Sequence, residues 1–367
     1  MKPILVVNSG SSSLKYQVID VDSNESLLSG LIERVTDHSA VFEQMVTELR
    51  SSGISPVAIG HRVVHGGSKF SQPVLIDERV LSEIESLVPL APLHNPGNLA
   101  GIRAAFKAFP GLSQVAVFDT AFHQTMPPAS YRYAIDRELE EKFGIRRYGF
   151  HGSSHAYVSR RAAAFLGQPT FNGIVLHLGN GGSACAVKHG KSINTSMGLT
   201  PLQGLVMGTR SGDIDPAIVL FLANQGLSLA EIDESLNKNA GLKGMTGDSD
   251  LRDVERRAQQ KDVHAQQALA VYALRVKQYI GAYIAQLGEI DAVVFTAGVG
   301  ENSSEMREQI TAGLEHLGIE LNYELNNERS KVERDVSSAS SRVKVLVIPT
   351  NEELEIAIQT AALTLQS

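Results

Sequence analysis

Four consecutive apolar residues, Ile4-Leu5-Val6-Val7, are followed by the small polar run 8–13 and then by apolar residues at every second position, Leu14, Tyr16 and Val18. A continuous apolar run predicts a strand buried on both faces, and strict alternation predicts a strand with one wet face, so the segment reads as a hairpin with a Gly/Ser tip. The pattern returns at half length. Residues 173–178 form an apolar run, 179–183 a small-residue turn, 184–188 a second strand, His189-Gly190 another turn and 192–196 a third strand. Such a repeat predicts duplicated halves facing each other, each offering a Gly/Ser/Asn loop to a shared crevice.

Two shorter apolar strands are predicted, at 114–118 ending on Asp119 and at 292–295 ending on Thr296-Ala297-Gly298. Loops that follow strands are where α/β proteins keep their chemistry. Helical periodicity predicts helices over 78–86, 98–108, 154–165, 217–224, 263–287, 303–316 and 352–365. The longest carries Leu269, Tyr272, Val276, Tyr279, Ile280, Tyr283 and Leu287 at helical spacing, the mark of a core or dimer face. Asn302-Ser303-Ser304-Glu305 has the form of a capping box with Asn302 as the cap, and 337–341 reads as a surface loop.

A chain of 367 residues exceeds one ordinary core and predicts two domains of roughly 100–200 residues. With 43% hydrophobic and 20% charged residues and a mean hydropathy of −0.04, the composition is globular. A net charge of −7 and a pI near 5.9 leave no basic footprint for nucleic acid or an anionic membrane, so any bound anion must be gripped locally. The single cysteine, Cys185, excludes an internal disulfide and lies in the apolar stretch 184–187, as a core residue does. The run 4–7 is too short for a secretion signal or a membrane span, which makes the cytoplasm the expected compartment.

No G-x-x-x-x-G-K-[ST], G-x-S-x-G or H-E-x-x-H occurs, which removes the P-loop, hydrolase-elbow and zincin readings. Gly179-Asn180-Gly181 and Gly298-Val299-Gly300 both follow strands, and each suits backbone N–H groups approaching phosphate oxygens. His61/His65 and His151/His155 have the H-x-x-x-H spacing of zinc ligands, but no third ligand is near, and ordinary hydrogen-bonded histidines account for the spacing. Arg62, in Gly60-His61-Arg62-Val63-Val64-His65-Gly66-Gly67, and Arg210, in Gly208-Thr209-Arg210-Ser211-Gly212-Asp213, are guanidinium groups that need an anionic partner if buried. A structural ion pair serves as well as an anionic ligand here, with Asp213 or Asp215 as partners for Arg210. Asp119, beside Thr120 and His123, equally suits a helix cap.

Taken together, Val7-Asn8-Ser9-Gly10-Ser11-Ser12-Ser13-Leu14-Lys15-Tyr16, residues 60–67, Phe118-Asp119-Thr120-Ala121-Phe122-His123, Tyr148-Gly149-Phe150-His151-Gly152-Ser153-Ser154-His155, His177-Leu178-Gly179-Asn180-Gly181, residues 207–216, residues 295–303 and Thr350-Asn351-Glu352-Glu353 resemble the acetate kinase family, in that family's order over nearly the whole chain. The resemblance implies the actin and sugar-kinase fold, an α/β architecture of two duplicated actin-like (ribonuclease H-like) domains around a nucleotide cleft. It divides the chain into 1–123 plus 354–367 and 124–353. It implies ATP and ADP as co-substrate, acetate and acetyl phosphate as the other reactant pair, Mg²⁺ or Mn²⁺ as cofactor, and a homodimer. Carried over position by position, Asn8 and Glu352 would be associated with the metal, while Lys15 and His177, Leu178, Gly179, Asn180 and Gly181 would lie along the phosphates. Asp250, Leu251, Arg252, Gly298, Val299, Gly300, Glu301 and Asn302 would hold the adenosine end. Arg62 would take the substrate carboxylate, Val64, Leu93, Phe150 and Pro201 would form the methyl pocket, and Asp119, Arg210 and His151 would be catalytic. The segment between Asp20 and Gly60 is shorter than in typical members, and Leu251 stands where an aromatic residue is common.

A carboxylate acceptor with a pKa near ~4–5 is already ionised at neutral pH, so its attack needs no general base. What it needs is cancellation of charge as it meets a triphosphate, for which two guanidinium groups, a histidine donor and a divalent cation are suited. Asp119 is therefore expected to orient Arg210 or metal-bound water rather than to take a proton. A propionate or butyrate kinase is the nearest rival. An actin-like or Hsp70-like nucleotide-binding module is a rival of another class, and it leaves Arg62 and Arg210 without a purpose.

Overall fold

The computed structural model describes residues 1–10, 13–33 and 38–365, which places Ser11 and Ser12 of the first hairpin tip outside the described residues. The chain forms two compact units. The first comprises Met1–Gln124, Phe150–Tyr157 and the C-terminal segment from Asn351, and the second comprises Thr125–Gly149 and Val158–Thr350. Residues 150–157 thus pack with the first unit, although the sequence groups them with 124–353.

In the first unit, β1 (Pro3–Ser9), β2 (Ser13–Asp20), β3 (Glu25–Glu33), β4 (Ala58–Val63), β5 (Val74–Leu75) and β6 (Ser113–Phe118) form one sheet in the order β3-β2-β1-β4-β6-β5. In the second, β7 (Gly173–Leu178), β8 (Gly182–Lys188), β9 (Lys191–Thr195), β10 (Ala292–Thr296), β11 (Arg334–Asp335) and β12 (Lys344–Val347) take the order β9-β8-β7-β10-β12-β11. The two orders are the same. Each sheet begins as a three-stranded antiparallel meander, continues through two parallel neighbours and closes on a short antiparallel edge. The half-length repeat in the hydrophobic pattern is therefore a repeat of topology. The central strands β1, β7 and β10 are buried nearly end to end, as continuous apolar runs require when helices cover both faces.

The helices Glu78–Ser86, Ala217–Asn224 and Val263–Leu287 have the bounds the periodicity predicts. Of the seven residues at helical spacing in the longest, six are buried in the core of the second unit and Tyr279 packs against it. Helix Asn95–Ala108 begins three residues earlier than expected. Pro96 and Gly97 read as breakers, but a proline in the first turn lacks only an N–H that has no helical partner there. Ser303, not Asn302, caps helix Ser304–Thr311, accepting the Met306 N–H at 2.9 Å, while the Asn302 amide donates to the Gly298 carbonyl at 2.8 Å. Cys185 is buried, and burial pushes its thiol up to about 12, which fits the core reading. No helix among the described residues is long and apolar enough to cross a membrane.

His61, on β4, is 2% exposed and has its Nε2 2.8 Å from Gln114 Oε1. Burial lowers its pKa to about 4, against an ordinary 6.5. Between these values the unfolded chain takes up the proton and the folded chain does not, so folding stability is full above pH 6.5 and falls as pH drops toward 4. At 1.36 kcal/mol per pKa unit the loss is about 3 kcal/mol. His61→Gln is expected to remove that part of the acid sensitivity, read from urea unfolding midpoints across the same pH range; an unchanged slope would contradict it.

Candidate active site

In the first unit, parallel pairing sets Arg62 opposite Val117 and Val63 opposite Phe118. Alternate residues of a strand share a face, so Asp119, two beyond Val117, emerges on the side of Arg62. The ladder runs on to Asp119, whose N–H donates to the Val63 carbonyl at 3.0 Å. The guanidinium grips the carboxylate with both arms, Nε to Oδ1 at 3.0 Å and Nη2 to Oδ2 at 2.6 Å, and its third nitrogen donates to Asn8 Oδ1 at 3.4 Å. Asp119 is 1% exposed; burial pushes its carboxyl above the ordinary range and the guanidinium opposes that push. For Arg62 the carboxylates of Asp119 and Glu352 outweigh burial and keep it cationic. Asp119 thus orients Arg62, a partner that the expectation of Arg210 or metal-bound water did not include, because strand register places the two side by side.

Glu352 opens helix Glu352–Thr364, capped by Asn351, which accepts the Leu354 N–H at 2.9 Å. Burial raises the Glu352 pKa, with Arg62 and Lys15 opposing and Glu353 adding to the rise. Lys15, the cross-strand partner of Asn8, pairs with Glu353. The loop after β4 is stitched by two buried asparagines of helix Asn95–Ala108. Asn98 accepts the Val64 N–H at 3.1 Å and donates to the Ser9 carbonyl at 2.7 Å, while Asn95 exchanges two bonds with the His65 backbone at 3.1 and 3.2 Å. His151 has a left-handed backbone with φ 58°, and the next residue, Gly152, donates its N–H to the Asp119 carbonyl at 2.9 Å. A Cβ at 152 would collide with that carbonyl, so the glycine lets the His151 segment dock on the end of β6. Val64 and Phe150 are buried, whereas Leu93 is 63% exposed.

In the second unit, His177 and Leu178 end β7, and Gly179-Asn180-Gly181 turns into β8, closed by the Gly179 N–H donating to the Gly181 carbonyl at 3.0 Å. The Gly208 N–H donates to the Asn180 carbonyl at 2.9 Å, which ties this turn to the segment carrying Arg210. The Arg210 guanidinium donates to the Pro201 carbonyl at 2.6 Å, and no carboxylate among the described residues lies within ion-pair range of it. Burial lowers its pKa, the sign of a cation held short of solvent and of a counter-charge. Asp215 accepts the Ala217 N–H at 2.9 Å, and Asp213 faces Arg275, so neither expected partner reaches Arg210.

A cleft of about 1160 Å³ opens beside this segment, lined by Asn180, Gly208, Asp250, Leu251, Arg252, Gly298, Val299, Glu301 and Asn302 among others. That volume suits a large cofactor. Asp250 caps helix Leu251–Gln259 and pairs with Arg252 at 2.5 Å. Glu301 does not point its charge into open space: its Oε1 accepts the N–H groups of Ala297 at 2.8 Å and Thr350 at 3.0 Å, bracing the 297–302 turn. The turn is also held by Arg307, a fully buried residue that sequence reasoning missed, which donates to the carbonyls of Gly300 at 2.9 Å and Glu301 at 3.1 Å and to Asn326 Oδ1 at 2.7 Å. Burial and Arg334 lower its pKa to about 10. Its sequence signal is an arginine in an otherwise uncharged helix stripe with Met306, Ile310 and Thr311. Among the described residues no group of three His, Cys, Asp or Glu side chains gathers as a metal cluster would.

The model of the acetokinase family matches residues 3–53 and 36–358. The acetate kinase of Streptomyces coelicolor is 53% identical over 396 residues, covering 99% of this chain and 97% of that one. Among solved structures, a propionate kinase from Francisella tularensis superposes with a TM-score of 0.94 at 45% identity, over 99% of this chain and 100% of that one. Porphyromonas gingivalis acetate kinase gives 0.94 at 40% identity, over 99% of each chain. Both the sheet repeat and the site segments lie inside these full-length matches, and the chain belongs to the acetokinase family.

Proposed function

We propose that the chain is an acetate kinase that transfers a phosphoryl group reversibly between ATP and acetate, giving acetyl phosphate and ADP in a single in-line step. A carboxylate oxygen attacks the γ-phosphorus, the bond to the β,γ-bridging oxygen breaks, and that electron pair leaves with ADP. The observation that carries the reading is Arg210, a desolvated guanidinium with no carboxylate in ion-pair range among the described residues, tied through Gly208 to the Gly179-Asn180-Gly181 turn. Such a group suits charge that develops on the equatorial oxygens of the moving phosphoryl.

On this reading Arg62, held flat by Asp119, receives the acetate carboxylate, and Val64, Phe150, Leu93 and Pro201 surround its methyl. His151 donates to the moving phosphoryl, and Lys15 and the loop 177–181 follow the phosphates. Asp250, Leu251, Arg252 and Gly298 to Asn302 keep the adenosine end, with Glu301 and Asn302 acting by bracing their own turn. Asn8 and Glu352 offer only oxygen donors, and a cation would relieve the burial that raises Glu352, so the pair fits Mg²⁺. When bound, the ion supplies charge neutralisation at the phosphates. The proposed halves are 1–123 plus 354–367 and 124–353, with 150–157 and 351–353 packing with the first of them, and the cytoplasm, where ATP and acetate are both supplied, is the proposed compartment. The apolar helix Ala217–Asn224 has no buried residue and exposes Leu220 at 67% and Phe221 at 62%, which supports a homodimer through this face; Phe221→Glu should yield monomers by sedimentation.

A coupled assay with Mg-ATP tests the reading. Acetate is expected to be the best acceptor and propionate a slower one, since one methylene is worth roughly 1–3 kcal/mol and the exposed Leu93 leaves one wall soft. Propionate outrunning acetate at equal concentration would move the label to propionate kinase. No turnover with any short acid would end the kinase reading.

A further inference from the structure

Arg210 sits in a loop, residues 204–213, whose neck is closed by a reciprocal pair: the Gly204 N–H donates to Asp213 Oδ1 at 3.0 Å and the Asp213 N–H donates to the Gly204 carbonyl at 2.9 Å. The Asp213 carboxylate also accepts the Tyr279 hydroxyl at 2.7 Å and faces Arg275 Nη1 at 3.6 Å. Arg275 donates in addition to the Asp213 carbonyl at 3.0 Å. Tyr279 and Arg275 are one turn apart on the long helix Val263–Leu287, so one carboxylate fastens the neck to the most extended rigid element of the unit. Gly212 turns the chain with φ 70°, and a Cβ there would collide with the carbonyls of Gly204 and Leu205.

The two restraints on Arg210 lie on opposite sides of this neck. Its backbone carbonyl accepts the Met207 N–H at 3.1 Å inside the loop, and its guanidinium is aimed by the Pro201 carbonyl, which precedes Gly204. If the neck opens, the base and the tip of the side chain move independently. We propose that Asp213, with Tyr279 and Arg275 behind it, is a positioning residue for Arg210, fixing the guanidinium for the transition state. The proposal rests on the assignment of Arg210 to the moving phosphoryl group. A carboxylate accepts from Gly204 and Tyr279 on its two oxygens and sets a charge 3.6 Å from Arg275, whereas an asparagine would turn an N–H₂ toward one of the two donors and leave Arg275 without a charged partner there. A cavity of about 420 Å³ beside Asp213, Arg275 and Tyr279 lets water replace a lost contact, so the change loosens the loop without emptying a core.

The test is a double-mutant cycle on the full chain with Mg-ATP and acetate, comparing wild type, Asp213→Asn, Arg210→Ala and the double variant, with circular dichroism melts on each. Asp213→Asn is expected to lower kcat by about 10- to 100-fold, the order of a small misplacement of a catalytic group, with both KM values within about threefold. In the Arg210→Ala background the same change should cost less than about twofold, because the group it positions is gone. Equal losses in both backgrounds, or an unchanged kcat in Asp213→Asn, would overturn the proposal. Tyr279→Phe, which removes one donor and keeps the ring, should show a smaller loss with the same dependence on Arg210, and decides the matter if Asp213→Asn fails to fold. Near-normal activity of Arg210→Ala alone would overturn the role of Arg210 itself and, with it, this proposal.

Discussion

Arg210→Ala is expected to reduce kcat by about 10³-fold or more, the scale on which arginine stabilises phosphoryl transfer, while KM for ATP and for acetate stays within a few-fold. The asymmetry follows from where the guanidinium stands. It donates to the Pro201 carbonyl, no carboxylate among the described residues lies within ion-pair range of it, and burial already weakens its hold on its proton. A cation in that state gains most from charge that appears only as the phosphoryl group moves, and interactions made only in the transition state act on kcat. Steady-state rates in both directions measure it, and kcat divided by the product of the KM values must fall by the same factor forward and backward, since the overall equilibrium is unchanged. A loss below about tenfold would contradict the assignment.

Arg62→Ala should act on both stability and binding. It strands the Asp119 carboxylate, 1% exposed, without its bidentate partner, and breaking a buried pair from one side costs about 3–5 kcal/mol. The melting midpoint should fall accordingly and KM for acetate should rise by about 10-fold or more, as expected when a charged partner of a ligand carboxylate is lost. Arg62→Ala combined with Asp119→Ala should recover much of the stability and none of the affinity for acetate. A single variant as stable as the parent would show that the pair is worth nothing to the fold, and a double variant with normal KM would show that acetate is held elsewhere.

Much of this was legible in the residues. Continuous apolar runs at 4–7 and 173–178 gave away the central strands, and their identical sequels gave away the repeat. Short or half-wet elements were not legible: β5 and β11 are two residues each, and the edge strand β3 alternates weakly. Helix Leu229–Lys238 was missed although Ser228 and Glu231 form a complete capping box, because no long apolar stripe follows. At the site, the charged positions were readable as types but not as pairs. Asp119 sits 57 residues from Arg62, and only the parallel register of β4 with β6 shows that it serves Arg62. Asn95, Asn98 and Arg307 stayed hidden for the same reason: buried polar side chains earn their place through partners distant in sequence, and a single chain does not display them.

The matching strand orders of the two sheets make their strand ends comparable, position by position. Where β6 of the first sheet leads into Asp119, the corresponding β12 of the second leads into Ile348. The same strand end thus presents a carboxylate in one copy of the plan and an apolar side chain in the other. On the proposed assignment, preference among short acids can drift through residues 64, 93 and 150 of the first unit without touching the 177–181 turn or the adenosine-end residues of the second.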